Sequence, residues 1–345
     1  MNEMTVTSPR ATQERSGLIG NSRPMIAVLV IGAALLAPFV LYPVLLMEVL
    51  CFALFSCAFN LLLGYGGMLS FGHAMFFGGA AYVAGYAIKV AGFSPELGIL
   101  AGTIFAGGLG LLTGILAIRR VGIYFAMVTL ALAQMFYFIC LQIPFTNGEN
   151  GLQEIPRRPL FGLVDLSSDL NLYYFVLAVF LIGSGAIYRA VHSPFGQVLK
   201  AIRENEPRAV SLGYDVARHK LLAFVLSATI AGLAGSTKVM IFQLASLTDV
   251  SWHMSGGVVL MTMVGGVATM IGPLVGATVI ITMQNYLAGY GDWVLVMQGT
   301  IFVVVVSLFR RGIVGELAAI RLVDIQSVLQ RLRFPLGAAK RSSDV

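Results

Sequence analysis

The chain has 345 residues, 58% of them hydrophobic and only 11% charged, with a formal net charge of +6. Soluble domains average about 25% charged residues, so the shortage excludes an ordinary soluble enzyme and points to a polytopic membrane protein. The three cysteines, Cys51, Cys57 and Cys140, sit in apolar runs and offer neither a disulfide framework nor a metal spacing.

Residues 1–24 are polar and mixed, and read as a disordered cytoplasmic tail ahead of an uncleaved first span. Apolar runs then predict ten spans: 25–42, 45–63, 74–92, 95–118, 121–142, 171–190, 221–238, 256–271, 273–289 and 293–309. Breaks at Tyr42-Pro43 and Gly272-Pro273 make two tight pairs, and each pair reads equally as a broken or re-entrant element. The expected fold is all-α and polytopic, with 8–10 transmembrane helices across residues 25–312 and a cytoplasmic tail over 313–345.

The first stretch with chemistry is Asn60–Tyr82, NLLLGYGGMLSFGHAMFFGGAAY. Gly64, Gly66, Gly67, Gly72, Gly78 and Gly79 interrupt what is otherwise continuous helix, and Tyr65, Ser70 and His73 place polar groups between the breaks. Non-helical backbone at membrane depth is tolerated where it is buried in protein or lines a wet cavity, and such interruptions point to transport paths. The plainer alternative is a helix-to-helix turn at the cytoplasmic edge with Ser70 as N-cap. Farther on, Gly107, Gly108, Gly110 and Gly114, then Ala231, Gly232, Ala234 and Gly235, and the Gly272/Gly276 pair predict close helix packing.

Pro144–Asn171 carries TNGENGLQEIPRRPLFG, with turn signals at Asn147-Gly148 and Asn150-Gly151. It is long for a connector, and reads as a cap on the path, a contact for an external partner, or an ordinary surface loop. The 189–220 stretch, RAVHSPFGQVLKAIRENEPRAVSLGYDVARHK, has six basic residues (Arg189, Lys200, Arg203, Arg208, Arg218, Lys220) and three acids (Glu204, Glu206, Asp215). It cannot cross a lipid core. Val198, Leu199 and Ile202, then Ala209, Val210 and Leu212, recur at helical spacing, with Pro207 in the first turn of a second helix and Gly213 at its stop. A pair of short amphipathic helices lies on headgroups or fits a groove on a soluble partner; a solvated connector is the alternative.

With the N-terminus in the cytoplasm and ten alternating spans, 18 of the 22 Lys/Arg fall inside, leaving Lys89, Arg157, Arg158 and Lys238 outside. That asymmetry is the positive-inside pattern. Glu48, Lys89 and Lys238 lie near span ends, where snorkelling to the interface is the expected behaviour. No span carries an acid–base ladder suited to a proton relay. There is no phosphate-loop motif for ATP, no zinc spacing, and the four histidines (His73, His192, His219, His253) are scattered. A transporter without an engine must borrow one.

Taken together, GYGGMLSFGHAMFFGGAAY (64–82), TNGENGL (146–152), the block SPFGQVLKAIRENEPRAVSLGYDVARHKLLAFVLSATIAGLAG (193–235) and GGVATMIGPLVGA (265–277) resemble LivM-type permeases, the inner-membrane subunits of ABC importers for branched-chain amino acids. The resemblance runs from about residue 25 to 312. It implies a non-enzymatic subunit of the bacterial inner membrane with both termini cytoplasmic. It also implies a second, LivH-type permease, two cytoplasmic ATPase chains holding ATP and Mg, and a periplasmic binding protein, with no cofactor in this chain. Within 193–220 it implies an ATPase-coupling loop using Glu204, Glu206, Arg208, Ala209 and Gly213. Tyr65, Ser70, His73, Asn147 and Asn150 are the expected path residues. The sequence departs from the family where Met68 replaces a frequent Gln, where Gly257 replaces a frequent acid, and where TNG replaces TGG. Related permeases handle urea, short amides and aromatic carboxylates, so these are alternative cargoes. An ion-coupled carrier using Glu48 is the further alternative.

Overall fold

Proline in the first turn, where its missing N–H costs nothing, opens several of the helices. The structure is a computed structural model that describes residues 32, 34–160, 162, 165–291, 293–308 and 312–316. The expected tail over 1–24, residues 25–31 and 33 of the first predicted span (25–42), Arg310 and Arg311, and residues 317–345 of the second tail lie outside the described residues. Helix α1 (Pro43–Asn60) runs on through a π-turn, Leu61–Tyr65. It is followed by α2 (His73–Lys89), α3 (Pro95–Ala117), α4 (Ile123–Gln142) and α5 (Asp169–His192). Two short helices come next, α6 (Pro194–Glu204) and α7 (Glu206–Ser211). Then follow α8 (Val216–Phe242), α9 (Trp252–Gly265), α10 (Gly272–Leu287) and α11 (Trp293–Leu308). Among the described residues there is no strand; Leu152 and Ala245 form an isolated backbone bridge. The all-α polytopic expectation holds.

Five of these helices are long and apolar enough to cross a membrane: α1 with its π-turn, α3, α4, α5 and α8. The α1 window is 78% buried inside the protein and that of α8 72%, against 33%, 28% and 39% for α3, α4 and α5. Hence α1 and α8 form the centre, while the other three turn an apolar face such as Leu100, Ile104, Leu112 and Met127 outward. Four other predicted spans become shorter helices, α2, α9, α10 and α11, of 17, 14, 16 and 16 residues. A single crossing needs about 20 residues.

The small residues pack as expected. A Cβ at Gly110 would meet Ala228, one at Gly114 Phe224, one at Gly232 Ala106, and one at Gly235 the Phe77 backbone, so α2, α3 and α8 approach closely. Gly108 faces open space and takes no part. Three expectations need correction. Gly78 and Gly79 lie inside α2 and do not break it; the interruption is confined to 66–72. The N-cap of α2 is Gly72, and Ser70 instead accepts from the Gly72 N–H at 3.2 Å. The charged loop is shorter than 189–220, because α5 continues to His192 and α8 begins at Val216.

The connections sort to two ends. One end gathers 66–72, 118–122, 193–215 and 266–271, and holds Arg119, Arg120, Arg189, Lys200, Arg203, Arg208, Arg218 and Lys220. The other gathers 90–94, 143–168 and 243–251, with Lys89, Arg157, Arg158 and Lys238 at or near it. They are called here the basic end and the loop end.

Candidate functional site

At the basic end, each short helix is capped by the residue that opens it. The Ser193 hydroxyl accepts from the Gly196 N–H and Asn205 Oδ1 from the Arg208 N–H at 3.1 Å, while Asp215 Oδ1 does the same for Arg218 at the start of α8. Side-chain oxygens suit these positions because they satisfy orphan amides. Helix α6 buries Leu199 and Ile202, and α7 buries Ala209 against Ile202 and Val216. Val210 and Leu212, which recur with Ala209 at helical spacing, are 57% and 67% exposed, and Tyr214 is 43% exposed. Helix α7 has too few turns for a continuous stripe, so one small residue fills its inward face. Gly213 closes α7 at φ +86°, with Tyr214 N–H reaching Ala209 O and Gly213 N–H reaching Val210 O, the bond pair of a glycine-terminated helix.

Of the predicted coupling residues, Glu204, Arg208 and Gly213 are exposed and Ala209 is buried. Glu206 is half-committed inward, pairing with Lys220 at 2.8 Å.

The inner face of α6 rests on the π-turn and the break that follows. Arg203 donates to the carbonyl of Gly64, a group freed where the helix ends, and its stem lies against Gly67. Gly67 sits at φ +68°, and a Cβ there would stand 2.9 Å from Arg203 Cγ. Lys200 lies 5.6 Å above the Tyr65 ring. On the opposite side, Asn60 donates to Thr269 O at 2.8 Å and accepts from Ala268 N–H at 2.9 Å. The π-turn is therefore clasped between α6 and the 266–271 connection. A recess of about 540 Å³ opens there, with Tyr65, His192, Lys200 and Arg203 on its walls.

Ser70 and His73 sit deeper, both 0% exposed. Phe71 N–H donates to Thr129 Oγ1 at 3.2 Å, tying the break to α4. Ser227 spends its hydroxyl proton on Ala58 O at 2.6 Å, so it accepts from His73 Nε2 at 2.8 Å, which fixes Nε2 as the protonated nitrogen. Phe59, Phe76 and Phe224 present edges to that imidazole. Thus Tyr65 lines the recess, whereas Ser70 and His73 join helices within this chain.

The other predicted path residues, Asn147 and Asn150, are exposed at the loop end, separated from His73 by the length of α2, about 25 Å. Their loop is clamped rather than loose. Leu152 and Ala245 exchange both backbone bonds, at 3.0 and 2.9 Å, and Ile155 N–H donates to Gln243 O. Arg157 donates to the carbonyls of Met240 and Ile241 at the end of α8 and to Asp169. A cation there satisfies orphan carbonyls and the helix dipole together. Lys89 donates to Gln153 O at 2.7 Å.

Lys238 behaves differently from the snorkelling expected of it. It turns inward and pairs with Asp249, a residue the sequence reading passed over. Asp249 lies in the 3₁₀ turn Leu247–Val250, which folds back from the loop end to rest on Gly78. The signal was present as an acid eleven residues after a lone lysine, but its meaning depends on that fold-back. Glu48 accepts from Asn285 Nδ2 at 3.1 Å.

Residues 43–306 match the family described as branched-chain amino acid transport system / permease component. The chain is 24% identical over 277 residues to the high-affinity branched-chain amino acid transport system permease protein LivM of Escherichia coli (strain K12), covering 74% of this chain and 65% of that one. It is 26% identical over 282 residues, with the same coverages, to the corresponding LivM protein of Salmonella typhimurium. It is 29% identical over 210 residues to the L-arabinose ABC transporter permease protein AraH of Azospirillum brasilense, covering 56% of each chain. The match thus spans about 65% of the length of the LivM relatives. No solved structure matches.

Proposed function

The chain belongs to the branched-chain amino acid transport system permease component family, and from that premise we propose that it is the membrane-spanning subunit of an ATP-driven importer of branched-chain amino acids. One observation carries the reading. The α6–α7 pair buries Leu199, Ile202 and Ala209, seats Arg203 on the Gly64–Gly67 break, and leaves Val210, Leu212 and Tyr214 exposed beside Glu204 and Arg208. Exposed apolar residues ringed by charge suit a groove on a soluble partner. A push on α6 reaches the interrupted helix through Arg203 and then the 266–271 connection through Asn60, so closure of a nucleotide-driven partner becomes rigid-body movement of spans.

In this reading the ATPase docks at the basic end, which faces the cytoplasm together with both termini. A LivH-type permease pairs with the chain, and a periplasmic binding protein releases substrate at the loop end, beside Asn147 and Asn150. Substrate passes Tyr65 on its way in. The relative named for L-arabinose supports a second reading, a neutral sugar as cargo.

The test is uptake of labelled leucine, with arabinose alongside, by the complete transporter. Leucine uptake that requires this chain and ATP, and persists when the proton gradient is collapsed, is expected. Uptake that follows the gradient would overturn the ATP-driven reading, and uptake of arabinose alone would overturn the cargo. A reporter fused at Asn150 is expected outside and one at Asn205 inside; the reverse would invert the orientation.

A further inference from the structure

In the half of the bundle nearer the loop end lie a buried ion pair and, on the same side of α2, a buried tyrosine hydroxyl, and none of them belongs to the residues discussed so far for the path. Lys238 lies four residues before the end of α8, about 6 Å along its axis. Its ammonium pairs with Asp249 Oδ1 and stands 5.8 Å from the ring centres of Phe52 and Phe77 and 5.5 Å from that of Phe242. Asp249 is 1% exposed, yet its second carboxylate oxygen has no hydrogen-bond partner. Tyr82, one turn beyond Gly78 on the face of α2 where Asp249 rests, is also 1% exposed and its hydroxyl has no partner. Glu48 lies within electrostatic reach of Lys238.

A buried acceptor or donor left unsatisfied costs roughly 1–3 kcal/mol, and more for a charged group. Ionisable residues at membrane depth mark substrate or ion pathways. Here the groups left over are an anionic acceptor and a neutral donor, beside a lysine held by one carboxylate oxygen. Glu48 already accepts from Asn285 Nδ2, so the open places in the cluster are Asp249 Oδ2 and the Tyr82 hydroxyl. What would complete it is an ammonium for Asp249 Oδ2 and, close by, a carboxylate to take the Tyr82 hydroxyl and share Lys238. The phenyl rings around Lys238 offer an apolar wall.

From this complementarity we infer that Tyr82, Lys238 and Asp249 form a binding site for the zwitterionic head of an amino acid, which it occupies by exchanging ion partners with the Lys238–Asp249 pair. The exchange introduces no unpaired charge, because each end of the zwitterion finds the opposite charge already in place. Opening the site requires the 243–251 segment to shift, and that segment is bonded through Ala245 to Leu152 of the long loop. Events on the outer loop are thereby tied to the site. The inference rests on the amino-acid reading above.

The test uses the complete transporter in proteoliposomes and labelled leucine as probe. Tyr82→Phe removes a hydroxyl that bonds nothing in this chain, so a purely structural role predicts no change. The site predicts KM for leucine raised about tenfold, with assembly and binding-protein-stimulated ATP hydrolysis retained. Lys238→Met/Asp249→Leu, which replaces the pair with apolar groups, is expected to assemble and hydrolyse ATP but lose leucine uptake. Parent-like uptake in Tyr82→Phe, or in an assembled double variant, would overturn the site while leaving the importer reading intact. Failure of the parent itself to carry leucine would instead overturn the amino-acid reading, and the site with it.

Discussion

Helix α8 carries a lysine near each end of its buried stretch, and each lysine has a carboxylate partner. Lys220 meets Glu206 at 2.8 Å, with 37% of the glutamate side chain still exposed. Lys238 meets Asp249, whose side chain is 1% exposed, among three phenyl rings. The chemistry of the two pairs is the same and only the surroundings differ. At the basic end, Glu206 regains water when Lys220 is lost. At the loop end, the survivor stays in a medium that cannot solvate it. The first pair tunes how α7 sits on α8; the second holds the 243–251 segment in the bundle.

The sharpest way to break this comparison is to remove the two lysines one at a time. Lys238→Met leaves Asp249 buried and uncompensated, and is expected to cost about 3–5 kcal/mol. A loss of thermal stability in detergent too small to detect would show that the pair is solvated after all. The next largest effect tests whether the basic end is held by shape rather than charge. A Cβ at Gly64 would stand 2.7 Å from the Ala268 nitrogen, so Gly64→Ala is expected to cost about 1–3 kcal/mol through overpacking. Tolerance of alanine there would mean that α6 and the 266–271 connection do not clasp the π-turn. Gly213→Ala meets no neighbour within 4 Å but must hold φ +86°, a strain of about 1–2 kcal/mol. Its effect should appear as fraying of α7 in hydrogen exchange, with the spans unaffected. The smallest change is expected for Lys220→Met, about 1 kcal/mol or less, because Glu206 keeps access to water. Equal losses for Lys220→Met and Lys238→Met would dissolve the distinction between the ends.

Much of this architecture was legible in the sequence. Apolar runs located the helices because lipid and core both demand them, and the charged stretch at 189–220 announced itself by being unable to cross. Gly213 was readable as a stop because only glycine takes that backbone geometry freely. What escaped was whatever depends on a partner far along the chain. His73 looked like a path residue, and its hydrogen bond to Ser227, 154 residues away, becomes visible only when α2 and α8 lie side by side. Lys238 looked like a snorkelling cation because nothing local shows that the Leu247–Val250 turn folds back onto Gly78. Which of Ala209, Val210 and Leu212 turns inward was not legible, because a six-residue helix has too little periodicity to read.

Helices α9 and α10 contain 14 and 16 residues, and α9 and the connection between the two are tied to α1 by Ser56–Thr262 and Asn60–Thr269 bonds that bridge 206 and 209 positions of sequence. Such segments are too short to partition into a bilayer as independent crossings. During synthesis they must therefore wait at the membrane until α1, made much earlier, is already in place to receive them. The order in which the ribosome delivers the helices is thus the order in which the bundle can close, and α9 and α10 enter lipid as guests of α1.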